Sequence, residues 1–305
     1  GLAQGRAPRL AEDSVGGTYY LSDASGRRVA VFKPADEEAY GPNNPHQYCG
    51  SSGSGGGSGN CGGSGGCGGA LRECAAFLLD DGFAGVPPTA MVIADHAACH
   101  HGGGAGGGGG DRHGGKVGSL QVFVPNECTA EDLGPSLFPT EDVHRIAILD
   151  VRLCNMDRHV GNILVQRPPR ASPRTSGSYG RAWRRRHARP PPPLRLVPID
   201  HGLCLPHVLR LSDAEFAWRN WPAAREPLSD ACRRYVNSLD ADADIARLRA
   251  RLGDCLAGCL LSLRVGTALL KRGVAAGLTL CDIGTAMTRE HPDSPCLLEE
   301  AVAAA

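Results

Sequence analysis

The sequence predicts an α+β protein with two lobes, in which a small lobe rich in β-strands precedes a larger, mainly helical lobe. Short runs of β-branched and aromatic residues, separated by small-residue turns, are concentrated before residue 124 and predict strands. Apolar residues recur at helical spacing after residue 139 and predict helices. Three tracts of biased composition interrupt this pattern, and we expect them to be disordered Gly-rich and Arg/Pro-rich insertions: residues 49–69, 99–115 and 167–193.

The composition excludes several classes of function. The chain has 32 Lys and Arg against 32 Asp and Glu, so its net charge gives no indication of a nucleic-acid partner. No apolar run approaches the ~20 residues that a transmembrane helix needs, so no transmembrane segment is expected. The 13 cysteines include no Cys-x-x-Cys pair, which favours free thiols in a reducing compartment. We therefore expect a cytoplasmic protein that can bind peripherally to membranes.

The first two predicted strands form a hairpin. Residues 14–21 join a small-residue turn to a β-prone run, and residues 28–33 form an alternating strand that ends at Lys33. Backbone N–H groups in such a turn can bind the phosphates of a nucleotide, and Lys33 can neutralise them. The alternative is a solvent-facing hairpin with an incidental lysine, because the full G-x-G-x-x-G spacing is missing. We call this turn the glycine turn, and it consists of Ser14, Val15, Gly16, Gly17 and Thr18.

A helix is predicted over residues 70–80, with apolar positions 71, 74, 75, 78 and 79 on one face. Glu73 lies off this face. It is the obvious ion-pair partner for Lys33, because a Lys to helix-Glu bridge positions the phosphate-binding lysine of kinases. The alternative is an exposed helix glutamate. Strands are predicted over residues 86–93 and 117–124.

The second half of the chain contains two acidic residues close to predicted strands. A helix with Thr140 as its N-cap is predicted, and its buried face consists of Val143, Ile146, Ala147 and Val151. The chain leads from the end of this helix into the first acidic residue, Asp157. Residues 163–165 and 194–199 are predicted to form a strand pair that brings Asp157 and Asp200 to one end.

Asp157 and Asn162 have the spacing of a kinase catalytic loop, in which the Asp takes the proton of the acceptor hydroxyl and the Asn holds a metal ion. Asp200 follows an apolar run and precedes His-Gly, like the metal-binding Asp of an Asp-x-Gly turn. The alternative is a capped helix end with charges in solvent, and it leaves Asn162 and Asp200 unexplained. We therefore predict a site for phosphoryl transfer.

Residues 121–125 end the small lobe and are expected to form the hinge between the lobes. Backbone groups of a hinge can contact an adenine edge, and Gln121 and Val124 are the candidates, with Val124 the better one. We place the lobe boundary after this residue. The two lobes, residues 1–124 and 125–305, then make up one catalytic domain.

Six short motifs follow one another along the chain: Gly-Gly-Thr-Tyr-Tyr, Val-Phe-Lys-Pro, Gly-Val-Pro-Pro-Thr, Asp-Arg-His-x-Gly-Asn, Ile-Asp-His-Gly and Trp-Pro-x-Ala-Arg-Glu-Pro. Together they resemble the plant and algal gamma branch of type II phosphatidylinositol 4-kinases, which have a PI3/PI4-kinase catalytic domain. The match runs from Ser14 to Glu290, and the biased tracts are the departures from it.

The resemblance implies a two-lobed fold similar to that of protein kinases, and it implies ATP with Mg²⁺, or with Mn²⁺ as the alternative ion. It also implies phosphorylation of phosphatidylinositol in a membrane surface at the inositol 4-hydroxyl, giving phosphatidylinositol 4-phosphate. By motif, Lys33 binds the phosphates, Asp157 acts in the catalytic loop, and Asn162 and Asp200 hold the metal.

Two other functions stay open. The Ala-Pro-Glu segment of protein kinases is missing after Asp200, which favours a lipid acceptor. The palmitoylated Cys-rich segment of related animal enzymes is missing as well, which favours a protein Ser/Thr kinase on the same scaffold, with protein substrates. A non-catalytic adaptor is the third hypothesis. Four residues in kinase order argue against it: Lys33, Asp157, Asn162 and Asp200.

Other motifs carry less weight. Residues 110–116 fit the Walker A spacing but lack the following Ser or Thr, and they lie beside a poly-Gly run, so we regard the match as chance. His96, Cys99, His100, His101 and His113 are possible zinc ligands by residue type. A zinc site is not expected there, because no second pair of ligands has the spacing that would complete a tetrahedral site.

The last part of the chain is predicted to be scaffold. A helix over residues 255–271 should stop at Gly273, and a capping box from Thr279 should open a last helix. Trp218 and Trp221 can contact lipid or fill the larger lobe, and we favour packing for at least one of them.

Overall fold

The computed structural model describes residues 2–12, 14–39, 41, 43–46, 68–96, 98–99, 115–167, 193–207, 211, 214–291 and 293–305. The three predicted insertions lie outside the described residues except at their ends, so the expectation that they are disordered stays a prediction. Two of their ends are packed instead, one of them in a helix. Gly68 and Gly69 open a helix, and Cys99 is 2 % exposed and packs against Tyr19 and Phe32.

Five antiparallel strands form the sheet of the small lobe, in the order β1-β2-β3-β5-β4. The predicted hairpin is present as β2 and β3, and the carboxylate of Asp23 supports its turn by accepting from the N–H of Ser25 at 2.8 Å. β5 lies beside β3, so that Ser119 is opposite Lys33. The strand bounds are β1 Arg9–Leu10, β2 Tyr19–Ser22, β3 Arg28–Pro34, β4 Thr89–Ala94 and β5 Lys116–Val122.

Two strands differ from their predicted limits by more than one residue at an end. β4 begins at Thr89 rather than at residue 86, because Pro87 and Pro88 have no N–H to donate to a neighbouring strand. β5 ends at Val122 rather than at residue 124, ahead of Pro125.

The larger lobe contains two small sheets and most of the helices. β6 (Cys128–Thr129), β8 (Ile163–Gln166) and β9 (Arg195–Pro198) form an antiparallel sheet, so the predicted strand pair is confirmed. β7 (Asp157–Arg158) pairs in parallel with β10 (Glu215–Phe216). The helix bounds are α1 Gly68–Asp80 in the small lobe, then α2 Thr140–Leu153, α3 Asp230–Ser238, α4 Ala241–Leu252, α5 Leu260–Ala275, α6 Leu280–Ala286 and α7 Leu297–Ala303. The predicted α+β class is confirmed.

Helix α2 lies at the centre of the larger lobe. Its predicted buried stripe is confirmed, and at about 1.5–3 kcal/mol for each buried aliphatic side chain it contributes strongly to stability. The prediction for its first residue is wrong. Thr140 is the first helical residue rather than the N-cap, since Pro139, with φ fixed at −61°, takes the cap position without a side-chain hydrogen bond.

Helix α5 and the segment before it also differ from the prediction. The chain forms a 3-10 segment over Gly253–Cys259, and α5 begins only at Leu260. The helix continues past Gly273 because this glycine serves close packing and not helix termination. A Cβ atom there would lie 2.7 Å from Cδ1 of Ile283 in α6. The predicted capping box of α6, formed by Thr279 and Asp282, is confirmed.

One helical stretch among the described residues, 241–275, is long and apolar enough by length and composition to cross a membrane. It comprises α4, the 3-10 segment and α5. Leu263 and Leu270 of α5 are fully buried in the core. Leu261 of the same helix is exposed, so packing in the core accounts for only part of the apolar composition of this stretch.

Both tryptophans that sequence reasoning could not assign are packed. Trp218 is fully buried and Trp221 is 5 % exposed, and each stacks at an angle on a phenylalanine. The prediction that at least one of them fills the larger lobe is confirmed. Neither side chain is presented to a lipid surface.

Glu299 in α7 predicts a dependence of stability on pH. Burial would raise the pKa of this carboxyl, but hydrogen bonds from Arg289 and from the N–H groups of Cys296 and Leu211 lower it to about 2. Because the folded-state pKa lies below the unfolded value of about 4.3, the stabilisation is complete at neutral pH and is lost as the pH falls from about 4 towards 2.

We therefore expect Glu299→Gln to lower the free energy of unfolding by about 1–3 kcal/mol at pH 7. The difference from wild type should shrink below pH 4, as measured by urea unfolding at a series of pH values. Glu300→Gln, at an exposed position of the same helix, is the matched control. An equal effect of both substitutions at pH 7 would contradict the assignment.

Candidate active site

Lys33 lies at the end of β3, between carboxylates from two other parts of the chain. Its Nζ forms an ion pair with Oε1 of Glu73 in α1 and lies 3.1 Å from Oδ1 of Asp200. Burial by itself would lower the pKa of Lys33, but Asp200 and Glu73 raise it above its usual range. The lysine therefore stays cationic, and its charge lies between Glu73 of α1 and Asp200 of the larger lobe.

Glu73 is buried rather than exposed. It is 1 % exposed, because Lys33 covers one carboxylate oxygen and the buried ring of His201 faces the other at 3.7 Å. Burial would raise the pKa of Glu73, yet the charge of Lys33 lowers it below its usual range. The predicted contact between Lys33 and Glu73 is present, and the alternative of an exposed helix glutamate is wrong.

Asp157 and Asn162 are held together by the backbone of their own loop. The side-chain Nδ2 of Asn162 donates to the carbonyl of Asp157 at 3.0 Å, which leaves the amide oxygen of Asn162 as the atom that can bind a cation. The N–H of Asp157 donates to Oδ1 of Asn155 at 3.2 Å. Burial raises the pKa of Asp157, and the nearby carboxylate of Asp200 adds to the increase against the opposing charge of His159.

Asp200 is the residue at which the chain turns away from β9. Its backbone has φ of +54°, in the left-handed region that few non-glycine residues adopt and that aspartate adopts more readily than most. The N–H of the preceding Ile199 donates to the carbonyl of Asn162 at 3.0 Å. Asp200 therefore lies beside the loop that contains Asp157 and Asn162. The strand pair had been predicted to bring Asp157 and Asp200 to one end in this way.

Sequence reasoning missed the pair that holds this loop. Arg158 and Asp150 are fully buried, and Nε of Arg158 lies 3.0 Å from both carboxylate oxygens of Asp150. Nη1 of Arg158 donates to the carbonyls of Asn162 and Ile199 at 2.7 and 2.6 Å. One guanidinium group thus joins the Asp157 loop to the segment that carries Asp200. The signal in the sequence was Asp150, a charged residue among the buried positions of a helix.

The glycine turn is tied to the segment that follows β3. The N–H of Gly17 donates to the carbonyl of Glu37 at 2.8 Å, and the hydroxyls of Ser14 and Thr18 lie 2.8 Å apart. The N–H of Gly17 is therefore not available to a phosphate in this conformation. A phosphate-binding role for the rest of the glycine turn, including the exposed Val15, stays a prediction.

The two hinge candidates are placed differently. Gln121 is 9 % exposed, and its Nε2 donates to Oγ1 of Thr89 at 2.9 Å, so its side chain is engaged within the small lobe. Val124 follows β5, and within the described ranges neither its N–H nor its C=O has a backbone partner. An adenine contact at Val124 stays a prediction.

The comparison with known proteins decides the family. The family model described as phosphatidylinositol 3- and 4-kinase matches residues 14–283. The chain belongs to this family. The matched range contains the glycine turn, Lys33, Glu73, the Asp157 loop and Asp200, so the geometry described above lies within the family's catalytic domain.

Individual relatives agree with this membership and with the resemblance noted in the sequence. The chain is 40 % identical over 316 residues to phosphatidylinositol 4-kinase gamma 4 of Arabidopsis thaliana, and 41 % identical over 292 residues to phosphatidylinositol 4-kinase gamma 8 of the same plant. It is also 40 % identical over 317 residues to phosphatidylinositol 4-kinase gamma 4 of Oryza sativa subsp. japonica. These alignments cover 95–99 % of this chain and 49–50 % of the relatives, so the chain spans about half the length of the curated relatives it matches.

The donor set in this phosphatidylinositol-kinase-family site fits a hard divalent cation. Asp200 and Asn162 offer a carboxylate and an amide oxygen, which are the ligand types that Mg²⁺ prefers. The sequence predicted no zinc site around His96 and Cys99. His100, His101 and His113 lie outside the described residues, and no cluster of three His, Cys, Asp or Glu side chains occurs in the part of the chain that the structure describes.

Arg158 generates a test of this site. Arg158→Lys should lower the free energy of unfolding by about 3 kcal/mol, because a lysine cannot bond Asp150, Asn162 and Ile199 together and leaves buried carbonyls unpaired. Chemical denaturation measures this change. Arg233→Lys, in an exposed pair with Asp230, is the control and should change stability by less than about 1 kcal/mol. Equal effects at the two positions would show that Arg158 does not hold the loop.

Proposed function

We propose that the chain transfers the γ-phosphoryl group of ATP to the 4-hydroxyl of the inositol ring of phosphatidylinositol, giving phosphatidylinositol 4-phosphate and ADP. The observation that carries this proposal is the position of Lys33 between Glu73 and Asp200, with the Asp157 loop beside Asp200. Family membership supports phosphoryl transfer to a phosphatidylinositol, and the printed names of the relatives support the 4-hydroxyl.

Each charged residue has a separate task in this reaction. Lys33 binds the phosphate oxygens of ATP, and Glu73 keeps its amine directed at them. Asp157 accepts the proton of the inositol hydroxyl as that oxygen bonds to phosphorus, while the bond to the leaving ADP oxygen breaks. Its raised pKa makes Asp157 a better proton acceptor than an ordinary aspartate.

Asp200 and Asn162 would hold the divalent cation, Mg²⁺ or Mn²⁺. Such an ion, when bound, neutralises charge on the phosphate oxygens during transfer. The pairing of Lys33 with Asp200 at 3.1 Å balances the charge of this carboxylate within the protein. Arg158 keeps both ligand residues in place through the carbonyls of Asn162 and Ile199.

The acceptor defines where the reaction occurs. Phosphatidylinositol lies in a membrane, so we propose that the enzyme works at the cytoplasmic surface of a membrane as a peripheral protein. A protein acceptor is the competing outcome of the experiment below.

The test is transfer of labelled γ-phosphate from ATP by the purified chain, with phosphatidylinositol vesicles and a generic protein offered in parallel. We expect label in the lipid, and separation of head-group isomers should assign it to the 4-position. Asp157→Asn should reduce the rate about 10²–10⁴-fold, because the proton acceptor is lost, at unchanged thermal stability. Asp200→Asn should also reduce it strongly.

Asp230→Asn, at an exposed helix terminus, is the matched control and should leave the rate unchanged. Label only in the protein would replace the lipid acceptor by a protein acceptor. Full activity of Asp157→Asn would overturn the assigned site.

A further inference from the structure

Lys116 belongs to the chance Walker A match, yet it is among the most deeply buried charges of the small lobe. Its side chain is 5 % exposed and forms an ion pair with the fully buried Glu37, and its Nζ lies 3.1 Å from Oδ2 of Asp36. A buried lysine and a buried glutamate are costly to desolvate, and they persist where they are paired and further hydrogen-bonded. The question is what this pair supports.

The partners of Glu37 lie in the glycine turn and directly after it. Its Oε2 accepts from the hydroxyl of Tyr19 at 2.7 Å, and its carbonyl accepts from the N–H of Gly17 at 2.8 Å. A Cβ atom on Gly17 would lie 2.1 Å from Oε2 of Glu37. Position 17 therefore has to be glycine so that the turn can rest directly on the Glu37 side chain.

The segment around Glu37 makes further contacts with the same turn. Nδ2 of Asn44 donates to the carbonyl of Val15 at 2.9 Å and to the carbonyl of Glu38 at 3.1 Å. Nδ2 of Asn43 donates at 2.7 Å to Oδ2 of Asp36, the second carboxylate near Lys116. Residues 36–38, Asn43, Asn44 and Lys116 thus form a polar frame under the glycine turn.

This frame explains how the turn can keep one conformation without the full G-x-G-x-x-G sequence. A flexible loop loses conformational entropy when it closes on a ligand, and a loop that is already held avoids most of that loss. Lys116 and Glu37 connect β5 to the turn through buried, charge-assisted hydrogen bonds, which are stronger than neutral ones.

We propose that Lys116 and Glu37 are positioning residues that hold the glycine turn in the conformation that receives the phosphates of the nucleotide. The inference rests on the proposed function. In this arrangement Gly17 does not bind phosphate itself. It lets the turn lie against Glu37 because it has no side chain and because its N–H donates to the carbonyl of Glu37. The neighbouring residues of the turn bind the phosphate.

The test uses Lys116→Met and Gly17→Ala in the full chain. Both should weaken binding of a fluorescent ATP analogue about tenfold, because the turn has to be ordered on binding. Both should raise KM for ATP more than they lower kcat, and the Gly17 amide of Lys116→Met should exchange hydrogen faster. Lys116→Arg, which keeps a cation beside Glu37, should recover part of the affinity.

Matched controls separate this role from general stability. Lys271→Met removes a lysine whose Nζ donates to the carbonyl of Leu239 in the larger lobe, and Gly134→Ala adds a Cβ atom where nothing lies within 4 Å. Both controls should keep the wild-type affinity for the analogue. If Lys116→Met does not fold, Gly17→Ala supplies the same readouts.

The outcomes are distinct. Unchanged affinity and unchanged amide exchange in a folded Lys116→Met or Gly17→Ala variant would overturn the inference and leave the proposed function intact. Failure of the wild-type chain to bind the analogue at all would count against the proposed function, and the inference would fall with it.

Discussion

The structure depends on the need to keep one partly buried lysine charged between two carboxylates. Lys33 is held by two carboxylates, one from α1 and one from the turn after β9, and neither is close to it in the sequence. Without them, burial would favour the neutral amine, which could not attract phosphate. The sheet therefore positions Lys33, α1 positions Glu73, and the β8–β9 pair positions Asp200.

The larger lobe supplies its share through a second buried ionic centre. Asp150 accepts from Arg158, from Nδ2 of Asn155 at 2.8 Å and from Nε1 of Trp218 at 2.9 Å. All of these side chains are buried, so their hydrogen bonds form inside the lobe and the arrangement tolerates little displacement. Because Arg158 also bonds the carbonyls of Asn162 and Ile199, this centre sets the separation of the two acidic segments of the site.

Helix α1 connects the two lobes. Its Ala75, Ala76 and Leu79 share a core with residues of α2, α4 and α5. Arg152 of α2 strengthens the contact, since its Nη1 donates to the carbonyl of Leu79 at 2.7 Å and its guanidinium pairs with Asp244 of α4. Glu73 thus belongs to a helix that packs against the larger lobe. The ion pair between Glu73 and Lys33 connects β3 to this helix.

The sequence by itself determined the α+β class, the hairpin, α1 and the stripe of α2, because periodicity is a local property. Motif spacing, which is also local, predicted the site residues Lys33, Asp157, Asn162 and Asp200. The tertiary structure alone decided that Glu73 is buried, that Arg158 and Asp150 hold the loop, and that Lys116 is buried beneath the glycine turn. These facts depend on charged groups that meet across long stretches of chain, and only the folded core brings them close enough to pair.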